Sequence, residues 1–312
     1  MNIRQATIKR WFCNGLFALL STALLLCGAT SATASGMDDR AIGYAKALHE
    51  RAVLDVERAR ARLATAESDL RFAREAMSAA RGAKDGEAVR VASEAVHVAG
   101  DERRQAERLL QLARKRAADR ERTLLELRSA SARGGKDALL VPVDGSVRRV
   151  GTGGADITDP AVPVGAGQSI VTGGDGSARL FLAGGDVDIQ VYPSSSLSVV
   201  RDDSEGLLLS MEKGLARLKA RIGKWSRRFE VRTPAAVTSV RGTDFSVDCR
   251  AGREMLYVYE GVVVATPRGQ GEPVLVKTGE RLVMEGEGAW SPPRPFDPAS
   301  REENGKDAAA RN

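Results

Sequence analysis

The residues whose types and spacing could do chemistry are few and scattered. Ser210 and Lys213 have the S-x-x-K spacing in which a lysine activates a nucleophilic serine for acyl transfer. Lys277-Thr278-Gly279 supplies a second piece of that pattern. A serine used in this way opens a helix. Ser210 instead lies in a strand-like run that is expected to end at a Lys213-Gly214 turn, and the third S-D-N element is missing. The chain is therefore read as non-enzymatic. It has 2 histidines, His49 and His97, at or beside positions of a helical heptad. Neither has a second ligand three or four residues away, so no metal site is expected. Asp186 and Asp188 follow Gly184-Gly185 without the spacing of calcium-binding repeats, and no cofactor is expected.

One patch rises above this background. Arg217, Lys219, Arg221, Lys224, Arg227 and Arg228 crowd a short stretch in which Glu230 is the acid. Strand alternation sends Arg217, Lys219 and Arg221 to one face and Ala216, Leu218 and Ala220 to the other. Trp225 is placed at a hairpin tip. Such a strip can hold an anionic envelope polymer, glycan or lipid headgroup, or an acidic protein surface. Charged outer residues also keep a sheet edge soluble. The whole-chain charge of +6, from 47 basic and 41 acidic residues, adds little to this. No nucleic-acid partner is expected, because the basic residues of the helical region do not form one stripe.

The elements that must position these residues fall into clear segments. Residues 1–34 have a positive start, an apolar run over 11–28 and a small-residue end at Ala32-Thr33-Ala34, the layout of a secretory signal peptide or an uncleaved signal anchor. Cys13 and Cys27 lie inside that segment. Cys249 is then left without a partner for a disulfide, and its alternation with Phe245 and Val247 predicts a small buried residue.

Residues 37–133 are free of proline and rich in Ala, Arg, Glu and Leu. A heptad runs through Ile42, His49, Val56, Leu63, Leu70 and Met77, beside an alanine line at 45, 52, 59, 66, 73 and 80. Gly82 to Gly86 breaks it, and a second heptad follows from Val89 and Ala92, lapsing at Arg120. Two helices of equal length predict an antiparallel coiled-coil hairpin about 60 Å long. So thin a rod needs further cover: the β domain, a coiled-coil partner or a second copy by self-association.

Residues 134–142 read as a linker and 143–289 as an all-β domain of short strands. Gly173–Gly176, Gly184–Asp186, Glu212–Gly214 and Glu260-Gly261 are the expected hairpin turns. Residues 290–312, proline-rich and then polar, read as a disordered tail.

The stretch FEVRTPAAVTSVRGTDFSV, residues 229–247, carries a further indication. TPAAVTSVRGTDFSV resembles the central motif of FecR-type domains, found in bacterial envelope signalling proteins. VGAGQSIVTGGDGSARLFLAGGDVDIQVYPSSSLSV (164–199), LLLSMEKGLARLKA (207–220), LYVYEGVVVA (256–265) and VKTGERLVM (276–284) extend the resemblance over 143–284. It marks Thr233, Pro234, Arg241, Gly242, Thr243, Phe245, Glu260 and Gly261 as structural, and implies a jelly-roll or solenoid-like β fold. The fold class expected is α+β in separate domains, a helical hairpin followed by that FecR-type domain.

In better-known members, the resemblance implies, the domain lies outside the inner membrane. One transmembrane helix ties it to a cytoplasmic anti-sigma segment. Here only about ten residues precede the apolar run, too few to grip a sigma factor. The function expected is an exported, non-enzymatic ligand- or protein-binding module of the periplasm, with the hairpin as spacer or recruiting arm. The alternative is a sensor component of a FecR-like signalling pathway, anchored in the inner membrane and facing the periplasm.

Overall fold

The computed structural model describes residues 36–132, 138–151, 156–157, 163–182, 186–221, 228–240, 242–250, 253–284 and 290–298. The segment 1–34 lies outside the described residues, and all described residues belong to one structural unit.

The alanine seam folds as a hairpin of α1 (Gly36–Gly82) and α2 (Gly86–Ala132), 47 residues each. At 1.5 Å per residue each is about 70 Å long. The reversal puts Lys84 in the left-handed region at φ 57. The Oδ1 of Asp85 then accepts the N–H groups of Glu87 and Ala88, both at 3.1 Å, and caps α2. Ala45, Ala59, Ala66 and Ala73 of α1 and Ala92, Ala99 and Ala106 of α2 are buried in the seam. Small side chains let the helices approach closely, and Val56, Leu70 and Leu110 fill the layers between. His49 is half-buried at the seam and His97 is exposed.

The hairpin stands on the β domain. At its base Ala41, Ala45, Leu124, Leu127 and Ala130 pack on Leu139, Val141 and Phe181. Arg120, where the heptad lapses, donates to the carbonyl of Pro142 and pairs with Asp144 at 3.7 Å. The expected linker is thus in part a strand. Residues 138–141, Ala-Leu-Leu-Val, are buried on both faces, so they show no alternation to read.

Numbered in chain order, the strands form two sheets. The front sheet runs, edge to edge, β4 (Pro163–Val164), β1 (Ala138–Asp144), β6 (Ser177–Leu182), β7 (Val187–Val191), β9 (Gly206–Ala220), β12 (Asp244–Arg250), β13 (Arg253–Glu260), β16 (Glu280–Met284), β17 (Arg294–Pro295). The back sheet runs β3 (Asp156–Ile157), β2 (Val147–Val150), β5 (Gln168–Thr172), β8 (Ser196–Asp202), β9 again, β10 (Arg228–Arg232), β11 (Ala236–Val240), β14 (Val262–Pro267), β15 (Val274–Lys277). Leu180, Ile189, Leu218 and Val247 from the front meet Ile170, Leu197, Leu209 and Val263 from the back in one core. The protein is α+β, with a helical hairpin followed by a two-layer β domain.

Among the described residues β9 alone pairs in both sheets. Its first half lies on β8 and β10, its second on β7 and β12. The change comes at Gly214, φ +94, where a Cβ would stand 2.4 Å from the Ser195 Cα. The Lys213-Gly214 site is therefore a bend within one 15-residue strand, not the expected hairpin turn. Glu260-Gly261 and 173–176 differ from expectation in the same way, as corners where the chain changes sheet. Gly214 and Gly261 take positive φ, and at Gly176 a Cβ would stand 2.0 Å from the Ser146 carbonyl oxygen; hairpin turns draw on glycine for the same reasons, so the sequence cue is shared. Residues 290–298, expected in the tail, pack on the domain, and 299–312 lie outside the described residues. β17 pairs with β16, Trp290 packs on the core, and Phe296 stacks edge-on with Tyr257 and Tyr259 at 5.2 and 5.4 Å.

Candidate partner-binding surface

The outer face of the front sheet is built row by row from strand register. One row runs through Val141, Arg179, Gln190, Arg217, Ser246 and Tyr257. The next runs through Phe181, Asp188, Lys219 and Asp244. The hairpin base covers one end of both rows, and Tyr257, Tyr259 and Phe296 close the other. Between them lies a polar strip centred on β9.

The strip is largely paired within itself. Arg179 holds both oxygens of Asp188, at 2.7 and 2.6 Å, and lies 4.6 Å from the ring centroid of Tyr44 in α1. Arg217 holds both oxygens of Asp244, at 2.9 and 3.1 Å, and lies 4.1 Å over Tyr259. Lys219 reaches the same Asp244 at 3.0 Å, yet its side chain stays 52% exposed. Bidentate Arg–carboxylate pairs stacked on aromatic rings are fixed in place. They form a rigid floor, while Lys219, Arg221 and Gln190 offer groups to solvent.

The alternation expected for β9 is observed, with Ala216, Leu218 and Ala220 inside. The strip is not continuous to Arg228, which begins β10 in the back sheet and pairs with Glu230 at 2.6 Å. Lys224, Trp225 and Arg227 lie outside the described residues. Asp244, Tyr259 and Arg179 complete the strip and were not legible as site residues. A cue exists in the register, since an acid on each strand flanking β9 faces its basic residues.

Several of the motif residues lie at turns and corners of the β domain. Thr233 is buried, and its hydroxyl donates to Glu254 at 2.5 Å while accepting the N–H of Ala236 at 3.0 Å. Pro234 is exposed in the turn between β10 and β11. Gly242 has φ +61, Thr243 and Phe245 are buried, and the Thr243 carbonyl accepts the N–H of Ala220 at 2.8 Å. Arg241 lies outside the described residues. At the corner after Glu260, Gly261 has φ +88 and donates to Thr278 Oγ1 at 2.9 Å. Thr278 of the K-T-G sequence is thereby engaged in a turn, and Ser210 of the S-x-x-K sequence sits mid-strand.

Cys249 is half-buried against the core. Burial pushes its thiol well above the ordinary range, and the nearby Glu254 and Asp248 push it further. It stays a protonated, inert side chain. Among the described residues no cluster of His, Cys, Asp and Glu could hold a metal.

Residues 168–264, from β5 to the middle of β14, match the family model described as FecR protein. This stretch is a FecR domain. It contains the bent strand β9, the Thr233 turn and the Gly261 corner. Two crystal structures of a protein provisionally described as an anti-sigma factor, from Parabacteroides distasonis ATCC 8503, are similar at 17% identity and a TM-score of 0.37. Each covers 41% of this chain and 60% of that one, so this chain spans less than two thirds of its solved neighbour's length. The chain matches no curated protein.

Proposed function

We propose that this chain is a non-enzymatic sensor component of a FecR-type envelope signalling pathway. The FecR domain over 168–264 is the observation that carries this reading. In it, the strip between the hairpin base and the aromatic cluster is the contact surface, and the hairpin spaces the domain or recruits a second protein. Ser210, Lys213 and Thr278 have strand or turn duties, which favours binding over catalysis. The apolar segment 11–28 exports the chain to the periplasm or holds it in the inner membrane. Among the described residues no helix is long and apolar enough to cross a membrane.

The test is a photoreactive residue in place of Gln190, exposed on the strip, used in living Gram-negative cells. A discrete adduct with an envelope protein supports the reading. Adducts confined to cytosolic proteins overturn it. A second reading, favoured by the exposed Lys219 and Arg221, is that the strip holds an anionic envelope polymer. Binding of purified chain to anionic envelope fractions that weakens in Lys219→Glu/Arg221→Glu would support it.

A further inference from the structure

The two long faces of the hairpin are chemically different. One carries Glu50, Glu57, Arg60, Arg74, Arg104 and Arg114, all exposed, and is an ordinary solvated face. The other carries Phe72, Val91, Val98, Leu109 and Leu112, which are between 39% and 74% exposed. So many large apolar side chains along one face mark an interface.

Register places them along that face. Val56 and Ala59 pack with Leu110, and Leu70 and Ala73 with Ala99 and Val96. Phe72 is then level with Val98, and Leu109 and Leu112 are level with Arg58 and its neighbours. The half near the β domain forms a cleft of about 860 Å³ in which Leu48, Leu109 and Leu112 are flanked by Arg51, Arg62 and Arg116. These three arginines have no ion-pair partner among the described residues. The half near the tip presents Phe72, Val91 and Val98 beside Asp69 and Glu102, and those two acids also have no ion-pair partner there.

One half of the face is therefore cationic and leucine-lined, and the other is anionic with a projecting phenylalanine. Each complements the other, and the complement of a whole face is the same face reversed. We propose that two copies of this chain pack these faces antiparallel, about a two-fold axis crossing near Thr65, to form a four-helix bundle. Phe72 lies two turns to one side of Thr65, and Arg58, level with Leu109 and Leu112, lies two turns to the other. The rotation lays α1 on α1 and α2 on α2, so that Val98 and Val91 of one copy cover Leu109 and Leu112 of the other, Asp69 faces Arg62, and Phe72 covers the stem of Arg58. Two helices side by side give a strip about 20 Å wide, and an overlap of about 45 Å buries on the order of 800 Å² per copy, the size of a stable interface. The two β domains fall at opposite ends and do not obstruct one another. This inference is independent of the signalling role.

Sedimentation velocity on the full chain tests it, at low salt and about 100 μM, where a dimer with a Kd of about 1 μM is almost fully formed. A dimer is expected. Val98→Glu and Leu112→Glu should each raise its Kd about 30-fold or more with an unchanged helical circular dichroism signal. Val53→Glu, on the opposite face, should leave it unaltered. Arg62→Glu and Asp69→Arg should each weaken the dimer, and the double variant should restore it. In a Cys13→Ala/Cys27→Ala/Cys249→Ala background, Thr65→Cys should form an interchain disulfide and Ala79→Cys should not. A monomer under these conditions overturns the proposal. So does a dimer indifferent to Val98→Glu, or one in which Ala79→Cys cross-links as readily as Thr65→Cys.

Discussion

The carboxylate of Glu254, on β13 of the front sheet, accepts the hydroxyl hydrogen of Thr233 at 2.5 Å in the turn after β10 of the back sheet. Its other oxygen accepts the N–H of Ala235 at 2.9 Å, and both Glu254 and Thr233 are buried. The family motif's Thr-Pro turn is thus tied to the opposite layer through one side chain. Glu254→Ala leaves a buried hydroxyl and a backbone N–H without an acceptor. It should lower stability by about 3 kcal/mol in a denaturant titration. Glu254→Gln keeps one acceptor and should cost about half as much.

Gly214 predicts a larger loss from a smaller change. Gly214→Ala places a methyl against the backbone of Ser195 at a φ that alanine avoids. The expected cost is at least about 3 kcal/mol, or failure to accumulate as folded protein. Ser195 cannot retreat, because its N–H is held by Thr172 at 2.9 Å and its hydroxyl accepts the N–H of Leu215 at 3.0 Å.

Arg179 clamps the hairpin to the sheet. It is fixed by Asp188 and lies against Tyr44 and Phe181. Arg179→Met should cost about 1–2 kcal/mol and do so locally. Hydrogen exchange should quicken in α1 around Tyr44 while the amides of β12 and β13 keep their protection.

Cys249 predicts a pH dependence. Its folded thiol titrates above the unfolded one, so above the ordinary thiol range, near about 8.5, the unfolded chain releases a proton that the folded chain keeps. Stability from this group is complete below that pH and falls as pH rises. Thermal unfolding of Cys249→Ser should show a shallower alkaline decline than the parent chain. Alkylation of Cys249 by iodoacetamide at neutral pH should be slow until the chain is unfolded.

The hairpin was legible because its alanines recur with the helical period, and Ala45, Ala59, Ala66, Ala73 and Ala80 of that line are buried contacts. The outward alternation of Arg217 and Lys219 was legible for the same reason in strands. What the sequence concealed is where that periodicity stops carrying information. Residues 138–141 are apolar throughout because they are covered by the hairpin on one side and the core on the other, so they resembled neither pattern. Gly214 and Gly261 announced a change of direction without saying whether the chain would return along the same sheet or cross to the other. Asp244 and Glu254 had partners distant in sequence. Glu254 shares the inward alternation of Leu256 and Val258, which marked a buried acid but not the turn it would hold.

Because β9 is hydrogen-bonded in both layers, it is also the load path of the domain. A pull on the hairpin enters through β1 and β6, crosses β7 by hydrogen bonds, and reaches β9. From there it passes to the back sheet through covalent backbone at Gly214. The layers cannot be pulled apart as separate plates unless β9 is first peeled from one of them. A tug at the tip of the arm is therefore felt on both sides of the sandwich at once.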